Sequence, residues 1–298
     1  MFVLNNIPVD DTFAEAFPMT AARVLITAET PSWALTAGQS ATGYAASVIG
    51  CDAEAGIERV LSASESPDGR PGVSLLLFGF GREALQKAVI NRVGQCVLTC
   101  ATTACYNGLP VLKEKSIRVG GNLRYFGDGY QSSKKQDRRR FWRVPVMDGE
   151  FLCEDLFGTT KGVAGGNFLI LGQSQAQTLA AAEAAVKAIR QVRNVIMPFP
   201  GGIVRSGSKV GSRYPKLRAS TNDVYCPTLR GLVHSQLADN VNAVYEIVID
   251  GLNQPSVEQA MRLGIRAACL PGVVGISAGN YGGTLGPVHL HLKPILQA

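Results

Sequence analysis

The sequence predicts an α+β protein made of two tandem β-α-β-β-α-β units. These are ferredoxin-like lobes with mainly antiparallel sheets and helices on one face. Two observations carry this reading. The 298 residues are 46% hydrophobic and 17% charged, a compact globular composition long enough for two ordinary domains. One pattern of strands, helices and turns also occurs twice in order. The units are expected at residues 1–148 and 149–298.

In the first half, residues 23–27 read as a strand. Thr30 or Ser32 then caps a helix running from Trp33 to about Gly43. A second strand is expected at residues 46–49, leading into residues 51–57. Ser66-Pro67-Asp68-Gly69-Arg70-Pro71-Gly72 is a turn-rich loop. The apolar run 73–78 is a strand and residues 83–92 a helix. Residues 123–126 read as a further strand, ended by Gly127-Asp128-Gly129.

The second half repeats the order. Asp11 and Asp155, Phe13 and Phe157, and Ile26 and Ile170 each lie 144 residues apart. The helix becomes the Ala-rich stretch 177–191, a strong helix former. Residues 198–203 stand where 52–57 stood. The later parts match at a larger spacing, with Gly79 and Gly251 lying 172 residues apart. Strand 73–78 thus answers 244–250, helix 83–92 answers 255–264, and Gly127-Asp128-Gly129 answers the cluster 279–283.

The strand at residues 244–249 carries the most informative residue. Side chains alternate along a strand, so Tyr245, Ile247 and Ile249 share one face and Val244, Glu246 and Val248 the other. Both faces are apolar, and the strand is expected to be covered on both sides. Glu246 is the exception. A carboxylate there forms a buried ion pair, faces solvent from an edge strand, or takes up a proton and acts as a donor near neutral pH. The corresponding place in the first half is Ser74, so the fold itself does not require an ionisable group.

Three loops of the second half are rich in small polar groups: residues 204–212, 219–227 and 277–286. Each reads as turn chemistry or as a source of N–H and hydroxyl donors for a polar ligand. The spacing of Gly279, Gly282 and Gly283 fits neither a phosphate loop nor a dinucleotide fingerprint.

Other classes fare worse. His234, His289 and His291 are the only histidines and have no carboxylate or thiolate cluster near them in sequence, so no metal is expected. Cys96, Cys100 and Cys105 lack a nearby histidine to activate a thiolate. The seven cysteines contain no C-x-x-C pair, which points to reduced thiols in the cytoplasm. Met1 to Asn6 lacks a basic run and no long apolar stretch occurs, so neither a signal peptide nor a membrane helix is expected.

The net charge is +6, with much of the excess in the run Lys134-Lys135-Gln136-Asp137-Arg138-Arg139-Arg140. This run reads as a solvated hairpin tip or a site for an acidic ligand. Aromatic residues do not interleave with it as a nucleic-acid stacking surface needs, so no nucleic-acid partner is expected.

Long ordered blocks carry a resemblance. They include Asp11-Thr12-Phe13-Ala14-Glu15-Ala16-Phe17, Pro67-Asp68-Gly69-Arg70-Pro71-Gly72-Val73, Phe126-Gly127-Asp128-Gly129-Tyr130 and Gly162-Val163-Ala164-Gly165-Gly166-Asn167-Phe168. Further along are Pro198-Phe199-Pro200-Gly201-Gly202-Ile203, Ala219-Ser220-Thr221-Asn222-Asp223 and Val244-Tyr245-Glu246-Ile247-Val248-Ile249. From about residue 10 to about residue 292 the chain resembles the formylmethanofuran:tetrahydromethanopterin formyltransferases.

The resemblance implies two α/β-sandwich lobes, a homo-oligomer (commonly a tetramer) and a cleft where subunits meet. It implies formyl transfer between the amine of a methanofuran-type coenzyme and N5 of tetrahydromethanopterin. Both are substrates, with no permanently bound cofactor. The family's catalytic glutamate falls on Glu246.

Loop chemistry supplies the other expected substrate-binding residues. In the second half these are Ser206, Ser208, Lys209, Ser220, Thr221 and Asn222, with Asn167 and Asn280. In the first half they are Phe126 and Asp128. The basic charge and the divergent 130–140 segment look like relatives in aerobic bacteria that oxidise one-carbon compounds. There the transferase is one subunit of a formyltransferase–hydrolase complex. A coenzyme with a polyglutamate tail would suit the charge. The alternatives are a non-catalytic binding or scaffold subunit of such a complex, and a nucleic-acid-binding protein suggested by charge alone.

Overall fold

The computed structural model describes residues 1–112 and 114–298. The chain divides into two compact units, one of Met1–Pro18 with Val163–Ala298 and one of Met19–Gly162. The division differs from a split at 148/149 because the two repeats exchange their ends. The strand Phe13–Thr27 and the strand Leu156–Gly172 each begin in one unit and finish in the other.

In the unit of residues 19–162, Glu54–Leu61 pairs with Gly72–Gly79, which pairs with Phe13–Thr27, which pairs with Ala104–Asn107. All three pairings are antiparallel. Gly149–Glu154 then adds in parallel to Ala104–Asn107 and carries the antiparallel strand Arg139–Val146. The helices Pro31–Thr42 and Arg82–Arg92 supply Ala37, Ala41, Leu85 and Val89 to a core with Val24, Ile26, Val73, Leu75 and Leu77. Thr30 is the cap of the first helix, its hydroxyl accepting the Trp33 N–H.

The other unit has the same order. Val195–Ile196 pairs with Ala243–Gly251, which pairs with Leu156–Gly172, which pairs with Val273–Ser277, again antiparallel throughout. Val288–His291 adds to the start of Phe13–Thr27. His289 and His291 both stack on Phe13, with ring centroids 4.7 and 5.2 Å away.

The helices of this unit are Gln175–Ile189, capped by Ser174, and Gln254–Ala268, capped by Asn253. Both begin earlier than the sequence pattern indicates, because each cap lies two or three residues ahead of the apolar periodicity. They approach closely through small residues. A Cβ on Gly264 would stand 2.7 Å from Ile189 Cδ1, so this helix pair tolerates no larger residue there. Among the described residues no helix is long and apolar enough to cross a membrane.

Two expected strands are absent. Residues 46–49 form a turn, with the N–H groups of Gly50 and Cys51 both bonded to Ser47 O. The second strand is Glu54–Leu61, whose backbone pairs along Gly72–Gly79. Four apolar residues between Gly43-Tyr44 and Gly50 do not outweigh that longer register. Residues 123–126 are helical, within the turns Gly120–Leu123 and Arg124–Gly127. There Arg124 lies over both the Tyr125 and Trp142 rings, 4.6 and 4.5 Å from their centroids. The basic run does form a hairpin, Ser132–Gln136 against Arg139–Val146, turning through Asp137 and Arg138.

Candidate active site

Glu246 lies on Ala243–Gly251, directly opposite Leu169, which is in turn opposite Ser277. Paired residues point to the same side of a sheet, so Glu246, Leu169 and Ser277 form one row. The alternate residues Phe168, Ile170, Ile247, Ile249 and Ile276 face the helices and make the core. Glu246 is therefore on the face away from the helices. That face is covered too. Leu237 and Val241, with Tyr225 beside them, pack on Leu169, Leu171 and Val244.

The strand's other edge brings in a loop. Val204 and Glu246 exchange both backbone hydrogen bonds, at 2.8 and 3.0 Å. This bridge starts the 204–212 loop beside Glu246. The loop then folds back, with Lys209 opposite Ser220 and Val210 opposite Ala219.

The carboxyl of Glu246 has no hydrogen bond or ion pair among the described residues. The residue is half-buried, and the protein atoms crowded around its carboxyl raise the pKa to about 7 by desolvation. A group titrating there exchanges protons readily at neutral pH.

The 277–286 loop starts from the same row, at Ser277. Gly279 donates its N–H to Asn167 Oδ1 at 2.6 Å and accepts from Asn167 Nδ2 at 3.0 Å. Glu15, buried in the strand Phe13–Thr27, accepts the N–H groups of Tyr281 (2.6 Å), Gly283 (3.1 Å), Gly286 (2.6 Å) and Leu285. Burial pushes the Glu15 pKa up, but the bonds from Gly286, Tyr281, Leu285 and Gly283 outweigh it, and the net shift is downward. Burial raises the pKa of the Tyr281 phenol; the charges of Glu246 and Glu15 add to the rise and Ser208 opposes it.

The expected binding residues thus divide. Ser206, Ser208, Lys209, Ser220, Thr221, Asn222, Asn167 and Asn280 share a unit with Glu246, whereas Phe126 and Asp128 belong to the other. Several are occupied within the chain. Lys209 pairs with Asp223 at 2.6 Å. The Ser220 hydroxyl donates to Gly211 O, and that of Thr221 to Ser206 O. The Asn280 side chain binds Thr12 and Phe13. In the other unit Phe126 is 67% exposed.

Sequence reasoning missed Glu15 and Tyr281. Glu15 carried the signal that marked Glu246, an acid between apolar neighbours on a strand. A separate cavity of about 830 Å³ in the other unit is lined by Lys135, Arg138, Arg139 and Arg140, with Glu154 and Asp155. It shares no residue with the Glu246 site, and Arg139 there is paired with Glu154 at 2.6 Å.

The comparisons agree along the chain. A family profile described as formylmethanofuran-tetrahydromethanopterin formyltransferase matches residues 2–146, and one for its proximal lobe matches residues 149–295. The chain is 56% identical to the formylmethanofuran–tetrahydromethanopterin formyltransferase of Methylococcus capsulatus, covering 99% of each. It is 51% identical to one of the subunits of the formyltransferase/hydrolase complex of Methylorubrum extorquens, covering 99% of this chain and 98% of that one. Among solved structures, the Methanosarcina barkeri formyltransferase superimposes with a TM-score of 0.94 at 50% identity, covering 99% of this chain and all of that one. With whole-length identity above half and both lobes matched in order, the chain belongs to the formylmethanofuran–tetrahydromethanopterin formyltransferase family.

Proposed function

We propose that the protein moves a formyl group between the amine of a methanofuran-type coenzyme and N5 of tetrahydromethanopterin. Glu246 is the proton donor and acceptor. The observation that carries this is one carboxyl, free of any partner among the described residues and held near pKa 7 by desolvation alone.

The chemistry needs that proton. N5 attacks the formyl carbon, and the carbonyl pair moves onto oxygen. The tetrahedral oxyanion then re-forms the carbonyl and breaks the bond to the furan-side nitrogen. That nitrogen leaves as a neutral amine only if it is protonated. Protonated Glu246 supplies the proton, and the resulting carboxylate takes the proton released by N5. The carboxyl is restored and the reaction runs in either direction. Holding both reactants in line can lower the barrier by about 7–11 kcal/mol.

The two ferredoxin-like lobes of residues 1–148 and 149–298 are part of the same reading. The identical strand order within the two units supports them. So is a homotetramer working in the cytoplasm, which the seven free cysteines suit. Hydrolase subunits are proposed as partners because one relative is named for such a complex, solved with methylofuran. The hairpin cations attract the acidic end of the coenzyme.

The test is a two-substrate assay of the purified protein, following N5-formyl product. Transfer supports the enzyme. No transfer, with or without added hydrolase subunits, leaves a binding or scaffold protein.

A further inference from the structure

Between the turn Pro227–Leu229 and the strand Ala243–Gly251 the chain forms no helix or strand. It lies on the sheet all the same. Leu237 and Val241 are 8% and 2% exposed and join Leu169 and Leu171 in one apolar cluster, with Tyr225 and Val244 packed against it. Leu169 stands directly opposite Glu246, and Leu171 opposite Val244. Val244 is two residues from Glu246 on the same strand face, and a directly opposed pair sets its Cβ atoms about 5 Å apart. Two of the residues that flank Glu246 on its own face are therefore under this strap.

An irregular segment keeps one place on a sheet only where its backbone is tied down. The ends of the strap are tied by main-chain bonds. Gln236 donates its N–H to Val224 O at 2.9 Å, and Asn242 donates to Gly172 O at 2.9 Å. Arg230 ties the part between. Its Nη2 donates to Ala238 O at 3.1 Å and also to Val241 O. The two carbonyls belong to the residue after Leu237 and to Val241 itself, so one guanidinium fixes the backbone on which both covering side chains stand. Arg230 has no carboxylate partner among the described residues, and these carbonyls do not share it with an ion pair.

We infer that Arg230 is a positioning residue of the transfer: it closes the strap so that Leu237 and Val241 keep water from the Glu246 carboxyl. The inference rests on the formyl-transfer reading above. Burial alone raises the pKa of that carboxyl, which is the effect of an apolar cover. Charged groups on the surrounding elements are engaged elsewhere or exposed. Asp250 accepts the Gly165 N–H, Lys209 pairs with Asp223, and Glu15 takes four N–H groups of the 281–286 turn. Arg205, His234 and Asp239 are exposed, and Tyr225 and Tyr281 contribute phenols.

The test compares wild type with Arg230→Met, which removes the donors, and Leu237→Ala, which keeps them and thins the cover. The basic limb of kcat/KM is expected to move down by about one pH unit in both. Arg230→Lys, which can keep one of the two bonds, takes the place of Arg230→Met if that variant does not fold, and should move the limb the same way by less. A double-mutant cycle reads the carboxyl without activity. The extra stability that Glu246→Gln shows at pH 8 over pH 4.5 should shrink to less than about half in the Leu237→Ala background, other titrating groups cancelling in the cycle. A limb at the wild-type pH in the variants, with Tm lowered or not, overturns the inference, as does an unchanged cycle. A wild-type protein that transfers no formyl overturns the functional reading, and the cycle then decides separately whether the strap governs the carboxyl.

Discussion

Glu246 stands directly opposite Leu169 in one unit as Ser74 stands opposite Leu25 in the other, so the two strand pairs share one register. The contents of that place differ. Ser74 donates to Glu58 at 2.7 Å, and Glu58 is paired with Arg23 at 2.6 Å. Glu246 has no such bond or pair among the described residues. One unit has a serine at this place, bonded to an ion-paired acid of the next strand, and the other has the carboxyl itself.

The free acid weakens the fold above neutrality. The carboxyl pKa rises from 4.5 to about 7 on folding. Between those values the native state holds a proton that the unfolded chain has lost, so stability falls as pH rises through this window. Glu246→Gln removes the penalty. It should be more stable than wild type by about 1–3 kcal/mol at pH 8, the side chain's partial exposure limiting the gain, and should show little difference at pH 4.5. Urea midpoints at the two pH values check this. An equal difference at both would place the carboxyl in solvent.

Glu15 acts in the opposite sense. Its folded pKa is lowered, so its contribution is present above its unfolded pKa and is lost as pH falls through the lower folded value. Glu15→Gln puts an amide where the site offers only donors, and should cost about 2–4 kcal/mol. Amide exchange should speed up at Tyr281, Gly283, Leu285 and Gly286 and stay slow in the helix Gln254–Ala268.

Asn167 reads from the sequence as a substrate contact, but its amide is taken up by Gly279 and Gly165. Asn167→Ala should therefore lower stability by about 1–3 kcal/mol. It should also loosen the loop, so that amide exchange at Gly279 speeds up. An increase in one substrate's KM with stability untouched would restore the contact role.

The basic hairpin gives a salt-dependent prediction. Lys134, Lys135 and Arg138 have no carboxylate partner among the described residues. Attraction of an acidic coenzyme end by such exposed charges is screened over about 8–10 Å at moderate salt. KM for the furan coenzyme should rise with ionic strength in wild type and stay flat in a Lys134→Ala, Lys135→Ala, Arg138→Ala variant. An identical salt slope in both would remove the hairpin from binding.

Periodicity made the repeat legible, because strands such as residues 73–78 and 244–249 are long and apolar on both faces. It failed where runs were short. Residues 46–49 and 123–126 have strand composition, yet a longer register nearby and a guanidinium stacked on aromatic rings decide their shape. Glu246 could be singled out because an acid amid apolar strand neighbours is unusual. Tyr281 could not. Nothing local marks a tyrosine in a glycine-rich loop, and its position depends on Glu15, far away in sequence and joined to it only by folding. The exchange of strand ends between units was hidden for the same reason: long strands read as single elements whichever sheet each end enters.

Glu246 is the proposed carrier of the proton. The most direct measurement is the two-substrate assay on wild type and Glu246→Gln, with binding of both substrates followed separately. A kcat lower by about 10²–10⁴-fold with both dissociation constants retained is the predicted result. Turnover at the wild-type rate would contradict it.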